Sequence, residues 1–475
     1  MPTEKPNFIL IISDQHRGDC LGIEGHPVLL TPTLDHLAAS GGSFAHAYST
    51  CPVCIPARRS LLSGQFPSTH GMVGMEDNIP WYPPATLPGE LRKAGYQTVL
   101  VGRDMHQSPR RKRFGFDQMV HTGDVHPDDV TGPLPGHGEN PSWSHGLDAN
   151  GWTARPWHLA DDLHPSYRTV DAALHFLSRR DPECPFFLVV SFAAPHPPLY
   201  PPAFYFDRYL RTGVPKPLLG TWETAPAHGG LGAAPDSHAV NLQGEALLSC
   251  RAGYYGLINH IDDQIHRLLN PHGELDDKTR SNTVILYTSD HGEMLGDHHL
   301  FRKSAPYEGA SRIPLILQAP PSFGFPRGAR LETPACLEDV MPTILALAGV
   351  PCPESVDGRN LVPDLSGSLP ESSPRILHLE MAREPGQSWH ALTNGQRKYI
   401  WRPSDGREQF FDLASDPGEL TDLSGKAEYQ EPLRRFREHL IGELGQRCEG
   451  FVVEGRLKPG AAVRKTLPHV SARMS

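Results

Sequence analysis

The chain has 475 residues, of which 38% are hydrophobic and 21% charged. These proportions describe a globular protein of one large unit with an appendage, or of several domains, and exclude extended disorder. A formal net charge of −10, without a dense block of Lys or Arg, argues against a nucleic-acid partner.

Forty-five glycines and 48 prolines are spread without period, which implies many shaped loops. No apolar stretch reaches the length of a membrane span. The opening MPTEKPNFILIISDQ holds a short apolar run without a small-residue cleavage site. Eight cysteines (Cys20, Cys51, Cys54, Cys184, Cys250, Cys336, Cys352, Cys448) are dispersed along the chain. Reduced thiols in a cytoplasm are the expectation.

Phe8–Ile12, Thr98–Val101, Phe186–Phe192, Thr283–Tyr287 and Ile313–Leu317 are short, continuous apolar runs. That texture suits strands buried on both faces, as in a parallel sheet covered by helices. Helical patterns alternate with them at Thr31–Ala39, Leu87–Ala94, Ser166–Arg179 and Glu245–Leu269. The last places Leu257, Ile261, Ile265 and Leu268 on one stripe. The alternation predicts an α/β fold with a large mixed, mostly parallel sheet flanked by helices over residues 1–372. From about Arg375 four short strand candidates separated by Asn-Gly and Asp-Gly turns favour an antiparallel meander, followed by a charged helix at Tyr429–Gln446 and a basic tail from Gly455. Residues 373–475 are therefore expected to form a smaller α+β subdomain. Thr122–His164 and Lys216–Asn241 read as long loops near a site.

Ligands of open parallel sheets bind beyond the carboxyl ends of the strands. The first strand exits into Asp14-Gln15, the second into Arg103 and His106, the third into His196 and the fourth into Asp290-His291. Singly each reads as a satisfied loop residue; together they place acids, an amide, imidazoles and a guanidinium on one edge. Asp14, Gln15, Asp290 and His291 offer oxygen ligands and one nitrogen, a set suited to Ca²⁺, Mg²⁺ or Mn²⁺ rather than structural zinc. Cys54-Ile-Pro-Ala-Arg58 precedes a helical run, so Cys54 sits near a helix N-terminus with Arg58 one turn inside, where an anionic centre is stabilised. Read locally, a buried structural cysteine is the alternative.

Cys54-Ile-Pro-Ala-Arg58 followed by SLLSG resembles the signature of the sulfatases, a branch of the alkaline-phosphatase-like superfamily. FILIISDQHRGD, GYQTVLVGR, PHPP around His196, TSDHGEMLGDHHLFRK and DVMPTILALAGV extend the resemblance in family order from about Asn7 to Gly358. Two departures stand out. Arg103 replaces the usual lysine of Gly-Lys-x-His and His106 arrives one residue late, while Gln15 and His291 stand where many members carry Asp and Asn. The latter pairing looks like the sulfatase/phosphonate monoester hydrolase group.

The resemblance implies that Cys54 is converted to Cα-formylglycine by a maturation enzyme and that its hydrate is the nucleophile. A geminal diol offers one hydroxyl for attack and a second whose deprotonation expels sulfate, an exit that serine lacks. Asp14, Gln15, Asp290, His291 and the modified Cys54 would hold one divalent cation, with Ca²⁺ favoured. Arg58, Arg103 and Lys303 would clamp the sulfate oxygens. His196 would protonate the leaving oxygen, His106 would deprotonate the second hydroxyl, and Asn78 is a candidate substrate contact. His298 and His299 are expected outside direct chemistry. The expected reaction is hydrolysis of the sulfate monoester of a small molecule or oligosaccharide, with a sugar suggested by Trp143, Trp152, Trp157, His158 and Asp161 in one loop. The rival is phosphonate monoester or phosphodiester hydrolysis at the same site, and a non-catalytic binding protein on this fold is remoter still. Neither a membrane partner nor a nucleic acid is expected, and a homo-oligomer stays open. A serine hydrolase is poorly supported, because Gly41-Gly-Ser-Phe-Ala45 only approaches G-x-S-x-G.

Overall fold

Continuous apolarity becomes burial on both faces at the centre of the molecule. The computed structural model describes residues 4–109, 111–122, 146–226, 234, 236–270, 272–368, 375–384 and 386–471. Its main sheet comprises β1 (Asn7–Asp14), β2 (Gly42–Phe44), β3 (Gln97–Gly102), β4 (Gln118–His121), β5 (Phe186–Pro195), β6 (Thr283–Ser289), β7 (Leu315–Gln318) and β8 (Ala329–Leu331). Their order is β4-β3-β5-β1-β6-β7-β2-β8. The strands from β4 to β6 are mutually parallel, whereas β7 runs antiparallel to both its neighbours. Direction was not legible in the run Ile313–Leu317, because burial on both faces, not parallel pairing, produces such a run.

Alternate residues of β1 serve opposite layers, as the period of a strand requires. Ile9 and Ile11 pack with α1 (Pro32–Ser40) and three later helices. Phe8, Leu10 and Ile12 face the other way, toward α2 (Cys54–Ser63) and α3 (Leu87–Lys93). The first layer is completed by α4 (Pro165–Arg179), α5 (Ala203–Thr212) and α6 (Gly244–Leu268), the second by α7 (Val340–Ala348). The helical patterns read from sequence lie within a residue or two of α1, α3, α4 and α6. In contrast α5 escaped notice: it begins directly after Pro201-Pro202 and its buried face is only Phe206 and Tyr209.

The C-terminal strands are β9 (Leu377–Met381), β10 (Trp389–Thr393), β11 (Arg397–Trp401) and β12 (Glu408–Asp412), paired consecutively and antiparallel. One face of this sheet, with Leu379, Ala391, Ile400 and Phe411, packs on Tyr48, Met294 and Tyr307 of the main body. Leu392, Tyr399, Trp401 and Phe410 on the other receive Leu433, Phe436, Leu440 and Leu444 of α8 (Gln430–Leu444).

The expected basic tail is in fact a strap. Past a short hairpin the chain returns to the main body, where Val73 N–H donates to the Lys465 carbonyl at 2.9 Å and Leu467 N–H to that of Gly71 at 2.7 Å. Gly74 permits this close approach: a Cβ there would lie 2.2 Å from the Ala382 carbonyl oxygen and 3.0 Å from Lys465 Cγ. Among the described residues no helix is long and apolar enough to cross a membrane.

Candidate active site

The carboxyl ends of β1, β3, β5 and β6 converge on the N-terminus of α2. Asp14 ends β1, and Gln15 follows at φ 74° with its N–H on Asp290 Oδ1 at 3.1 Å. The His291 N–H reaches the same oxygen at 2.9 Å, so the two ligand pairs are tied to each other through the backbone. Cys54 is the first residue of α2, where Pro56 costs no hydrogen bond because first-turn N–H groups have no helical acceptor.

Asp14, Cys54, Asp290 and His291 are all buried, and their ligating atoms lie within 4.8 Å of one another. His291 Nδ1–H donates to the Gly292 carbonyl at 3.0 Å, which turns the lone pair of Nε2 toward Cys54 Sγ at 3.3 Å. That tautomer is the one a metal-ligating histidine needs. Asp14 Oδ1 is buried without a hydrogen-bond partner, an orphan that a hard cation would satisfy. These donors fit a divalent ion.

Charge inside the cluster is tightly balanced. Burial opposes ionisation of Asp14, but Arg103, His196 and Arg58 outweigh it and hold its carboxyl well below the usual range. Burial, reinforced by Asp14, pushes Asp290 up to about 6. Burial disfavours the Cys54 thiolate, yet Lys303 and His291, with His106 and His196 close by, bring its pKa well below that of an ordinary thiol. Burial would lower the His291 pKa, but Asp290 and Cys54 raise it. Asp14 and Cys54 thus feel mainly the positive groups around them, whereas Asp290 and His291 feel mainly the negative ones.

Arg58 is placed differently from the sequence expectation. Its side chain is fully buried beneath the cluster, with Nε on Asp290 Oδ2 at 3.0 Å, Nη2 on Asp14 Oδ2 at 2.9 Å, and Nη1 on Ser191 Oγ and the Asp104 carbonyl, both at 3.1 Å. With its fork so occupied, and no share in the cleft wall, it holds the two carboxylates from below. Arg103, Lys303, His106 and His196 do line the cleft above Cys54, whose volume is about 490 Å³. Lys303 Nζ lies 3.2 Å from both Cys54 Sγ and Gln15 Oε1, and 2.7 Å from His196 Nε2. Gln15 is held in this orientation by Glu293, whose carboxylate accepts from its amide. Arg103 Nη1 reaches Asp14 Oδ2 at 3.0 Å, and Gly102, at φ 101°, lets β3 close on β5 where a Cβ would meet the Ser191 carbonyl oxygen at 2.0 Å. The extra residue before His106 is absorbed locally: His106 takes φ 50° and its N–H caps on Asp104 Oδ1 at 3.1 Å.

Other expected residues stand apart. Asn78 is exposed, at φ 60°, and lies outside the cleft wall. Trp143 lies outside the described residues. Trp152 belongs to the core, and Trp157 packs against His164 and Tyr200 with ring centroids 5.1 and 5.2 Å away. His158 and Asp161 are exposed, and none of these four lines the cleft; Ala149 and Asn150 from the same segment do. His298 bonds Glu223 and packs on Trp222 and Tyr307. Glu293 and Ser191 were missed by sequence reasoning. The signal for Glu293 was its place in the same motif as Asp290 and His291; Ser191, inside a buried strand, offered none.

A mostly parallel sheet with paired aspartates and an imidazole gathered at its carboxyl edge over a helix N-terminus defines an alkaline-phosphatase-like hydrolase. A family model for the sulfatases matches residues 6–350, and one described as the C-terminal part of N-sulphoglucosamine sulphohydrolase matches residues 296–446. An arylsulfatase of Clostridium perfringens is 38% identical, over 98% of this chain and 100% of the relative. A choline-sulfatase of Rhizobium meliloti is 31% identical, over 89% of this chain and 83% of its own. The phosphonate monoester hydrolase of Agrobacterium radiobacter shares the fold with a TM-score of 0.77 at 24% identity, over 93% of this chain and 96% of that one. The chain belongs to the sulfatase family and is a sulfuric ester hydrolase.

Proposed function

We propose that the protein hydrolyses the sulfate monoester of a carbohydrate or other small alcohol, with Cys54 matured to Cα-formylglycine as the nucleophile. The observation that carries this reading is Cys54 at the floor of an open cleft, ringed by Asp14, Asp290 and His291 and 3.2 Å from Lys303. Asp14, Gln15, Asp290, His291 and the matured side chain would hold one divalent cation, Ca²⁺ being favoured by the oxygen-rich set. When bound, that ion supplies Lewis acidity and offsets the charge of the sulfate.

This chain's own groups account for positioning and proton transfer. Arg58 fixes both aspartates. Arg103 and Lys303 face the cleft with positive charge for the sulfate oxygens. His196 Nδ1–H donates to the Pro197 carbonyl at 2.7 Å, so its Nε2 accepts from Lys303. Burial and Lys303 together lower the pKa of His196, and the proton for the leaving oxygen accordingly rests on the Lys303–His196 pair. His106 is assigned the removal of a proton from the second hydroxyl of the hydrated residue 54. Maturation requires a formylglycine-generating enzyme in the host.

The cation has a test apart from turnover. A ligand at 100 times its dissociation constant stabilises a fold by about 2.7 kcal/mol, so returning Ca²⁺ to chelated protein should raise its thermal midpoint. A midpoint insensitive to Ca²⁺, Mg²⁺ and Mn²⁺ would remove the metal from this reading. The reaction is tested by comparing kcat/KM for sugar sulfates, aryl sulfates and phosphonate monoesters. Sulfates should lead; a phosphonate or phosphodiester turned over faster than every sulfate would replace the reading with its rival.

A further inference from the structure

Beyond the groups assigned to the ester itself, the cleft has a second positively charged wall. Arg302 precedes Lys303, its backbone N–H held by the Glu293 carboxylate. Its half-buried guanidinium has no hydrogen bond or ion pair among the described residues, and Nε is wholly shielded from solvent without a partner. Arg383, half-buried at the end of β9, likewise uses only its backbone groups, which pair with Ser388. The carboxylate beside it, Glu384, is engaged by Lys465 at 2.9 Å. His238 completes the wall: its Nδ1–H donates to the Phe301 carbonyl at 2.8 Å, so Nε2 is free to face the cleft.

These groups act on one another. Burial lowers the Arg383 pKa and Arg302 lowers it further. Burial, then Arg383 and Arg302, hold His238 down at about 4. Two guanidiniums and an imidazole thus share one wall whose one carboxylate, Glu384, is exposed and bonded to Lys465, so its charge only partly offsets theirs. Buried polar groups ordinarily have partners, and like charges held together cost stability. An anion from outside would satisfy both guanidiniums, and its charge would favour the protonated imidazole of His238, whose Nε2–H could then donate to it. Guanidinium forks match the planar carboxylate and the oxygens of sulfate, and a cleft of this size accepts a ligand of one or two rings.

We propose that Arg302, Arg383 and His238 bind a second anionic group on the leaving alcohol, a carboxylate or a further sulfate, so that the preferred substrate is a sulfate ester with at least one more negative charge. This rests on the sulfate-ester reading above and deepens it. The ester end meets Lys303 and Cys54 while the second anion meets the adjacent wall. The selectivity arises from binding the remote part of the substrate.

Three matched substrates test the assignment: a neutral hexose monosulfate, the same hexose with a second sulfate, and the sulfated uronic acid. Wild-type kcat/KM is expected to be at least tenfold higher for one or both dianionic compounds, chiefly through KM, and the two arms tell sulfate from carboxylate. Arg383→Gln and Arg302→Gln should each pull that ratio toward unity. Circular dichroism and thermal melting identify any variant that fails to fold, in which case the other variant and the wild-type ratio decide. A wild-type ratio near one, or a preference undiminished in folded variants, overturns the inference. Turnover of phosphonates in preference to all three sulfates would instead overturn the reading beneath it.

Discussion

Replacing Cys54 by alanine is expected to lower kcat/KM by on the order of 10⁴-fold or more, as loss of a covalent nucleophile does in other hydrolases. The fold should survive, because the side chain removed is small and its hydrogen-bond partners among the described residues are His291 and Lys303, at 3.3 and 3.2 Å. Circular dichroism and the thermal midpoint check that point, and turnover of an aryl sulfate reads the loss. The complementary measurement is mass spectrometry of the peptide containing residue 54, from a host with the maturation machinery, which should show aldehyde in place of thiol. An active preparation carrying only unmodified cysteine would falsify the formylglycine assignment, and a fully active alanine variant would remove Cys54 from the mechanism altogether.

Arg58→Met should damage both stability and turnover. The native guanidinium joins two fully buried carboxylates, at 2.9 Å to Asp14 and 3.0 Å to Asp290. Methionine fills similar space but leaves two acids facing each other in a dry pocket. Breaking a buried ion pair from one side costs about 3–5 kcal/mol, which urea denaturation of the chelated protein would read as a lower midpoint. Turnover should fall by roughly 100-fold or more, since small displacements of reacting groups carry penalties of that order. Arg58→Lys restores the charge without the fork and should recover stability better than activity. If the methionine variant unfolded at the native urea concentration and kept its activity, the carboxylates would not depend on Arg58.

Much of this was legible because it depends on short stretches of chain. Buried strands such as β1 and β6 announce themselves as FILII and TVILY, and the residues that leave them must sit at the sheet's carboxyl edge. The motif around Cys54 and the pair Asp290-His291 follow from the same local logic. What escaped depends on distant chain returning. Arg58 was expected to face sulfate, but Asp14, Asp290, Ser191 and Asp104, from four other parts of the sequence, draw its fork beneath the site. Trp152 and Trp157 suggested a sugar platform, yet tertiary packing consumes both rings. Arg302 and Arg383 lie far apart in the chain, and nothing in either neighbourhood indicates that they share a wall.

The strap that brings Lys465 back beside Met72 has a consequence for how such a protein diversifies. Cys54, Asp14, Asp290, His291, His196 and Lys303 all lie in residues 14–303, whereas Met381, Ala382, Arg383, Glu384 and Lys465 of the cleft wall come from chain that follows. Heritable change confined to the 3′ end of the gene therefore reshapes what the cleft admits while the inherited chemistry stays intact.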